Sequence, residues 1–126
     1  MIIGTGIDIV AIKRIREAET KWGRRFLDRV FTEGEIRYSL NHKSPHIHLA
    51  ARFASKEAMM KAVGTGLRDG IRWTDIEVIN KESGRPGVVL HGKVKDIAGS
   101  MGVTGIHMSI SHDEAYAIAQ VVLEGG

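Results

Sequence analysis

The centre of this sequence reads Ala51-Arg-Phe-Ala-Ser-Lys-Glu-Ala-Met-Met-Lys-Ala62, a segment that predicts a helix with two charges on its apolar face. At about 100° per residue, one stripe of that helix collects mainly apolar side chains: Ala50, Phe53, Ala54, Glu57, Ala58 and Lys61. Glu57 and Lys61 lie near the middle of the stripe. Because an unpaired charge in apolar surroundings costs several kcal/mol, this helix either contains a structural ion pair or holds a functional site.

Composition indicates a globular protein of the cytoplasm. The 126 residues are expected to form a single domain, residues 1–126, with an ordinary content of hydrophobic and charged side chains. The sequence has no cysteine, which excludes disulfides, cysteine-ligated zinc and thiol nucleophiles and suits a reducing compartment. No apolar run approaches the roughly 18 residues of a membrane span, and residues 1–6 lack the basic start of a signal peptide. We therefore expect a cytoplasmic protein without a membrane partner.

Apolar periodicity predicts alternating helices and strands along the chain. Helices are predicted over residues 11–30, 49–63 and 92–101, and a capping box of Thr32 and Glu35 predicts a short helix between the first two. Strands are predicted over residues 2–10, 73–80, 88–90, 106–111 and 115–123. Residues 41–48 are predicted to form a loop, and Gly64-Thr-Gly66 is predicted to end the central helix.

The first predicted helix carries most of the positive charge of the chain. Between residues 13 and 29, Lys and Arg outnumber Asp and Glu by seven to three, a local charge of +4 in a chain of +3. Arg14, Lys21 and Arg25 fall on one stripe of this helix, away from its apolar side. Such a stripe is either a solvated face or a docking surface for an acidic protein, nucleotide or nucleic acid. No recognisable nucleic-acid-binding module is present, which disfavours nucleic acid.

Two isolated carboxylates are the strongest candidates for chemistry. Asp8 interrupts an apolar strand, much as Glu57 interrupts an apolar helix face. Paired carboxylates suit Mg²⁺, which keeps waters and takes further oxygen ligands from phosphates. Lys61, one turn after Glu57, is suited to neutralise a phosphate or a leaving group. A structural interpretation also fits: Asp8 caps a turn, and Glu57 pairs with Lys61 for about 0.2–0.5 kcal/mol if exposed.

Three other patterns give weaker signals. His112 follows Ser111 at the end of a predicted strand, but no nucleophile elbow is present, so a phosphate contact suits it better than serine hydrolysis. Gly64-Thr-Gly66 matches neither a P-loop nor a dinucleotide-binding fingerprint. The spacing of His42, His46 and His48 is like that of a metal site, yet without cysteine and in a loop this signal is weak.

The motifs that carry a family resemblance run through the chain in one order: Gly6-Ile-Asp-Ile-Val10 with Arg14-Ile15, Phe31-Thr32 with Glu35, Arg52-Phe-Ala-Ser-Lys-Glu-Ala58 with Lys61-Ala62, Gly64-Thr-Gly66, Ser83-Gly-Arg-Pro86 and Ser109-Ile-Ser-His112. Together they resemble the bacterial holo-[acyl-carrier-protein] synthases, which are small 4′-phosphopantetheinyl transferases. The Asp8 motif combined with Phe-x-x-Lys-Glu-x-x-x-Lys is the most specific part of the resemblance.

The resemblance implies both a fold and a reaction. The fold is α+β of the 4′-phosphopantetheinyl transferase type, with an antiparallel sheet packed against a long helix. The reaction moves the 4′-phosphopantetheine arm of coenzyme A to a serine of apo acyl carrier protein, releases adenosine 3′,5′-bisphosphate and requires Mg²⁺. Its place is fatty acid biosynthesis, and the enzymes are typically homotrimers with active sites between subunits.

The resemblance also implies residue roles. Asp8 and Glu57 would bind the metal, and Lys61 and His112 would complete the catalytic set near the phosphates. The coenzyme A site would contain the following residues: Arg52, Gly64, Thr65, Gly66, Ser83, Gly84, Arg85, Pro86 and His112. Arg14 would dock the acidic carrier protein, and we extend this surface to Lys21, Arg24 and Arg25. The acceptor of the serine proton stays open between a water and a carboxylate such as Glu57.

Two rival functions make different predictions. A binding module for an acidic protein or nucleic acid, acting through the basic helix, would keep all its activity after Asp8→Ala. A Mg²⁺-dependent coenzyme A phosphohydrolase would release the bisphosphate without any carrier protein.

Overall fold

A computed structural model describes residues 1–68 and 70–126 of the chain. Its helices are α1 (Ile12–Trp22), α2 (Arg24–Val30), α3 (Glu33–Leu40), α4 (Pro45–Val63) and α5 (Gly92–Ser100). Its strands are β1 (Ile2–Ala11), β2 (Ile76–Asn80), β3 (Pro86–Leu90), β4 (Val103–His112) and β5 (Tyr116–Gly125). This mixture of helices and antiparallel strands confirms the predicted α+β class. Across the described residues, no helix is both long enough and apolar enough to span a bilayer.

The larger sheet has the strand order β1–β5–β4, is antiparallel throughout, and lies against α4. Its inner face and α4 together form the core, with these side chains almost fully enclosed: Val10, Leu49, Ala54, Ala58, Met59, Ala117, Ala119, Val121 and Leu123. A second sheet pairs β2 with β3, and a turn at residues 81–85 joins them. The long helix therefore contacts the larger sheet, β2 of the smaller sheet, and the helices α1 and α3.

Glycines bring β1 unusually close to α4. A Cβ atom at Gly6 would lie 1.9 Å from the carbonyl oxygen of Ala58, and one at Gly4 would lie 2.3 Å from that of Ala62. Only glycine allows two backbones to approach so closely. Because alternate residues of a strand share a face, Asp8 follows these glycines on the side of β1 that meets α4. The approach thus sets a carboxylate against the helix that carries Glu57.

The predicted helix over residues 11–30 is wrong in one respect, because it breaks into α1 and α2 at Gly23. Gly23 has a φ of 61°, and its N–H donates to the Glu19 carbonyl oxygen at 2.7 Å, which ends α1. Trp22, the last residue of α1, is 54% exposed.

Two further boundaries differ from the prediction. α4 begins at Pro45 rather than at residue 49, because proline is tolerated in the first turn, where its missing N–H has no helical partner. Residues 73–75 form a 3-10 turn, so the predicted strand starts only at Ile76. The capping box of Thr32 and Glu35 is confirmed, with reciprocal bonds at the start of α3.

Candidate active site

Asp8 and Lys61 meet across the contact between β1 and α4. The Lys61 Nζ donates to Asp8 Oδ1 at 3.1 Å and to the Ile7 carbonyl oxygen at 3.0 Å. The Asp8 side chain is 17% exposed, whereas the Lys61 side chain is 54% exposed. The apolar stripe argued for a buried Lys61, and that expectation is wrong. Lys61 lies at the rim of the site and bonds to a residue from another element rather than pairing with Glu57 one turn away.

Glu57 is half-buried beside the same contact. Burial raises the pKa of its carboxyl group, and the nearby charge of Asp8 raises it further, while Lys61 and Arg14 act in the opposite direction. The two carboxylates therefore come from different elements and are close enough to repel each other. Placing two carboxylates together creates a demand for positive charge, and the ammonium of Lys61, half in solvent, meets it only in part.

This pair fits a magnesium ion better than a fully protein-ligated metal. Among residues 1–68 and 70–126, no group of three or more His, Cys, Asp or Glu side chains is arranged to hold a metal. Mg²⁺ needs no such group, because one or two carboxylates with waters and substrate phosphates are enough. Asp8 and Glu57 supply two carboxylates, beside the half-exposed side chain of Lys61.

The three histidines of residues 42–48 do not converge on a metal. His46 bonds through Nε2 to the Glu19 carboxylate on α1. The Nδ1 of His42 donates to the Tyr38 carbonyl oxygen at 2.6 Å, and its ring lies 4.1 Å from that of His48. Most of this segment is helical, which directs His46 and His48 to different neighbours.

The predicted docking residues have different surroundings. The Arg14 guanidinium lies 5.5 Å from the centre of the Phe53 ring and also acts on Glu57, so it borders the carboxylate pair. Arg24 is engaged by Asp28 and by Glu33, at 2.8 and 2.9 Å. Arg25 lines a surface cavity with three neighbours: Trp22, Phe26 and Arg29. The Nζ of Lys21 stands 5.1 Å from the centre of the Trp22 ring.

Arg52 is the most unusual cation of the predicted coenzyme A set. It is only 5% exposed, its guanidinium lies 4.2 Å from the centre of the Tyr38 ring, and one of its terminal nitrogens donates to Asn80 Oδ1 at 3.5 Å. Its Nε is buried and has no hydrogen-bond partner among the described residues. Burial lowers the pKa of Arg52 below its ordinary value. His112, exposed at the end of β4, is close enough to act electrostatically on His48, as Arg52 does.

The remaining predicted residues lie on two turns. Gly64 ends α4 with a φ of 81°, and Thr65 follows with a buried Oγ1 that has no partner among the described residues. Gly66 also has a positive φ. In the turn between β2 and β3, Arg85 and Pro86 line a cavity whose other walls come from β4 and β5. Ser83 and Gly84 belong to the same turn, whose ends are joined by the bond from Lys81 N to Arg85 O at 2.8 Å.

Sequence reasoning missed the ion pair that lies nearest to Glu57 in the chain. Lys56 is fully buried, and its Nζ bonds to Glu35 Oε1 at 2.8 Å and to the Trp73 carbonyl oxygen at 3.1 Å. A third bond goes to the Ile76 carbonyl oxygen. The signal was present: Lys56 is followed at positions i+3, i+4 and i+7 by Met59, Met60 and Val63, all buried. The buried ion pair on this part of α4 is therefore formed by Lys56.

Comparison with known proteins places this geometry in a family context. A profile of the 4′-phosphopantetheinyl transferase superfamily matches residues 4–121. The holo-[acyl-carrier-protein] synthase of Koribacter versatilis is 49% identical over 124 residues, which cover 98% of this chain and 99% of the relative. The crystal structure of the synthase from Neisseria meningitidis aligns with a TM-score of 0.90 at 35% identity, covering 98% of this chain and 99% of that one. The synthase from Bacillus anthracis, solved in complex with CoA (3′,5′-ADP), aligns with a TM-score of 0.81 at 38% identity, covering 100% and 99%.

Proposed function

This chain belongs to the holo-[acyl-carrier-protein] synthases of the 4′-phosphopantetheinyl transferase superfamily, and we propose that Asp8 and Glu57 form the magnesium site of its reaction. It is a transferase that moves the 4′-phosphopantetheine arm of coenzyme A to apo acyl carrier protein. The observation that supports the site is the convergence of two carboxylates from β1 and α4, because a bound cation would relieve the repulsion between them. Asp8 and Glu57 would hold Mg²⁺ here, and the bound ion would supply positive charge to balance the pyrophosphate and the departing bisphosphate.

The protein residues bind and orient the phosphates. Lys61 already bonds to Asp8 and is half exposed, so its ammonium can turn toward a phosphate that enters beside the carboxylates. In the transfer, the serine oxygen of the carrier forms a bond to the phosphorus of the phosphopantetheine arm. The bond from that phosphorus to the bridging oxygen breaks, adenosine 3′,5′-bisphosphate leaves with that oxygen, and the serine proton passes to a water or a carboxylate of the site. Positioning and charge neutralisation supply most of the catalysis in such reactions.

The basic helices are the proposed docking surface for the acidic carrier. Arg14 links this surface to the site, because it borders both Phe53 and Glu57. Lys21 and Arg25 extend it toward the cavity beside Trp22, which offers an apolar contact within a basic rim. Arg24 contributes less, since Asp28 and Glu33 already neutralise it. Docking of this kind is fast and is weakened by salt.

We further infer that the chain works as a homotrimer in the cytoplasm. The family resemblance suggests the trimer, and the outer face of the larger sheet supports an interface there. Ile7 and Ile9 on β1 are 55% and 59% exposed, and Tyr116 at the start of β5 is 51% exposed. Side chains of this size on one sheet face favour burial against another copy. Sedimentation velocity tests this assignment, and a monomer at micromolar concentration would contradict it.

Intact-protein mass spectrometry of apo acyl carrier protein tests the activity and its metal dependence together. The carrier is incubated with this protein, coenzyme A and Mg²⁺, with and without EDTA. We expect one phosphopantetheine per carrier, lost with EDTA and restored by excess Mg²⁺. Release of bisphosphate without a mass change on the carrier would indicate a phosphohydrolase. A folded protein that releases nothing and leaves the carrier unchanged would favour a binding module.

A further inference from the structure

We propose that Trp73 is a positioning residue for the acidic carrier, because it forms with Phe53 an aromatic platform that holds the Arg14 guanidinium beside Glu57. The inference rests on the proposed function, since Arg14 belongs to the proposed docking surface. It gives a role to an aromatic side chain that lies outside both the carboxylate pair and the basic helices.

Three side chains from three separate elements meet at one aromatic ring. The Trp73 ring, from the 3-10 turn before β2, lies 5.0 Å from the Phe53 ring of α4, with 26° between the two planes. The guanidinium of Arg14, on α1, lies over the same Phe53 ring at 5.5 Å from its centre. Phe53 is buried, Trp73 is half-buried and Arg14 is exposed. The Phe53 ring therefore connects the indole to a charge that faces solvent.

The aromatic platform lies one helical turn from the proposed metal ligand. Phe53 precedes Glu57 by four residues, so the two side chains lie on the same face of α4, about 6 Å apart along its axis. Arg14 over Phe53 therefore borders Glu57, and its charge acts on that carboxyl group. A shift of this guanidinium would change how a docked carrier lies relative to the carboxylate pair.

Hydrogen bonds fix the backbone of Trp73 on the platform. Its carbonyl oxygen accepts a bond from the buried Lys56 Nζ at 3.1 Å, and Lys56 lies on the same helix as Phe53. Asp75 closes the turn, because its carboxylate accepts a bond from the Arg72 N–H at 3.0 Å. One helix, α4, thus supplies both the ring that the indole stacks on and the ammonium that holds the indole's backbone.

A guanidinium that rests on a ring can still bind carboxylates. The ring attracts the face of the guanidinium, whereas the N–H donors point outward in its plane. Arg24 provides the contrast, because Asp28 and Glu33 already accept its hydrogen bonds. An ordered and exposed guanidinium suits the carboxylates of an acidic carrier, since less side-chain freedom is lost when the carrier docks.

The kinetics of a double-mutant cycle test the proposal, with apo acyl carrier protein and coenzyme A varied in turn. Trp73→Leu should raise the KM for the carrier by roughly threefold to tenfold and keep the KM for coenzyme A within about twofold of wild type. Arg14→Ala should raise the KM for the carrier as well. In the Arg14→Ala background, Trp73→Leu should add less than about twofold, because the group that it positions is gone. Fully additive effects would overturn the proposal, since Trp73 would then act without Arg14.

Two matched variants separate positioning from a general loss of stability. Trp73→Phe keeps an aromatic ring on Phe53 and should retain the wild-type KM for the carrier. Ile97→Ala removes a side chain that packs against the core from α5, and it should leave that KM unchanged. An increase in Trp73→Phe or in Ile97→Ala as large as that in Trp73→Leu would contradict a positioning role.

Arg14→Lys tests the aromatic platform without altering the core, because it changes an exposed side chain. The variant keeps the charge but loses the planar group that rests on the ring, so the KM for the carrier should rise roughly threefold. A wild-type KM in Arg14→Lys would show that charge alone is enough and would refute the platform. Failure of the proposed function is distinct from these results, because it would appear as no phosphopantetheine added to the carrier by the wild-type protein.

Discussion

Lys56 and Glu57 are consecutive residues of α4 with different surroundings. Lys56 forms a closed ion pair with Glu35, whereas Glu57 belongs to an open cluster with Asp8 and Lys61. The three N–H donors of Lys56 are all used, by one carboxylate oxygen of Glu35 and by two backbone carbonyl oxygens. Glu35 in turn accepts from the N–H groups of Thr32 and Val78. On the open side, Glu57 stands beside a second carboxylate, and Lys61 offers only part of the balancing charge from a half-exposed position.

The difference separates a charge that is fully paired within the fold from charges that are left only partly balanced. In the buried pair, Lys56 joins α4 to α3 and to the start of β2, and each charged atom has its partners inside the protein. In the open cluster, like charges are held together by the glycine-dependent approach of β1 to α4. A fold keeps such an arrangement only at a cost in stability, and a bound cation removes that cost.

Removing Lys56 should have the largest effect, which is a loss of stability. Lys56→Met leaves Glu35 buried and unpaired, which is expected to lower the free energy of unfolding by about 3–5 kcal/mol. Urea denaturation measures the loss. The matched variant Lys61→Met removes the same ammonium from an exposed place and should cost less than about 1 kcal/mol. Equal losses from the two variants would contradict the distinction between the closed and the open cluster.

Removing one charge of the open cluster should instead lower the transfer activity. Asp8→Asn is expected to lower the transfer rate by roughly a hundredfold or more, because a catalytic metal ion supplies several kcal/mol. The free energy of unfolding should change by no more than about 1 kcal/mol, since repulsion with Glu57 also disappears. Rates at saturating Mg²⁺ test this, with Asp96→Asn on α5 as the control. Wild-type transfer by Asp8→Asn would remove Asp8 from the metal site.

Separating β1 from α4 should disturb both properties at once. Gly6→Ala sets a methyl group against the Ala58 carbonyl oxygen, so the strand must move, at an expected cost of about 1–3 kcal/mol. The displaced Asp8 should also raise the Mg²⁺ concentration needed for half-maximal rate. Gly99→Ala in α5 is the contrast: its added methyl meets open space and should stabilise the helix by roughly 0.5–1 kcal/mol. Unchanged stability in Gly6→Ala would show that β1 does not need glycine there.

Acid should weaken the binding of Mg²⁺ at the open cluster. Burial and Asp8 raise the pKa of Glu57, so protons compete with Mg²⁺ at a higher pH than for an ordinary glutamate. Below that raised pKa, the half-saturating Mg²⁺ concentration should increase by about tenfold per pH unit, since one proton is displaced per metal bound. Transfer rates titrated with Mg²⁺ across the acid range measure this. Glu82→Gln, at an exposed turn, should keep the dependence, and a flat response in wild type would exclude Glu57 as a ligand.

The smallest effect is expected at the docking surface. The charge reversal Lys21→Glu with Arg25→Glu should raise the KM for the carrier by roughly threefold to tenfold at low salt and leave the KM for coenzyme A unchanged. These two positions are preferable to Arg14, which also acts on Glu57. Lys93→Glu with Lys95→Glu makes the same change of charge on α5 and serves as control. Weaker coenzyme A binding with unchanged carrier kinetics would refute the docking assignment.

Much of the fold could be predicted because its signals are local. The capping box needs residues only three positions apart, and the buried strands follow from apolar alternation. The errors arose where a boundary depends on a single backbone position. Periodicity alone predicts a continuous helix through Gly23 because it does not show a positive φ, and it predicts a loop at Pro45 although the first turn of a helix accepts proline.

The family, the α+β class and the unusual carboxylates can be recognised from the sequence alone, because motif order, periodicity and the interruption of apolar runs are local to the chain. Which charges are paired depends instead on how the elements pack. Lys61 bonds to a residue 53 positions away rather than to Glu57, and Lys56 finds its partner on α3. The physical reason is that the cost of a buried charge depends on groups brought close by folding, and their distance along the chain does not reveal that proximity.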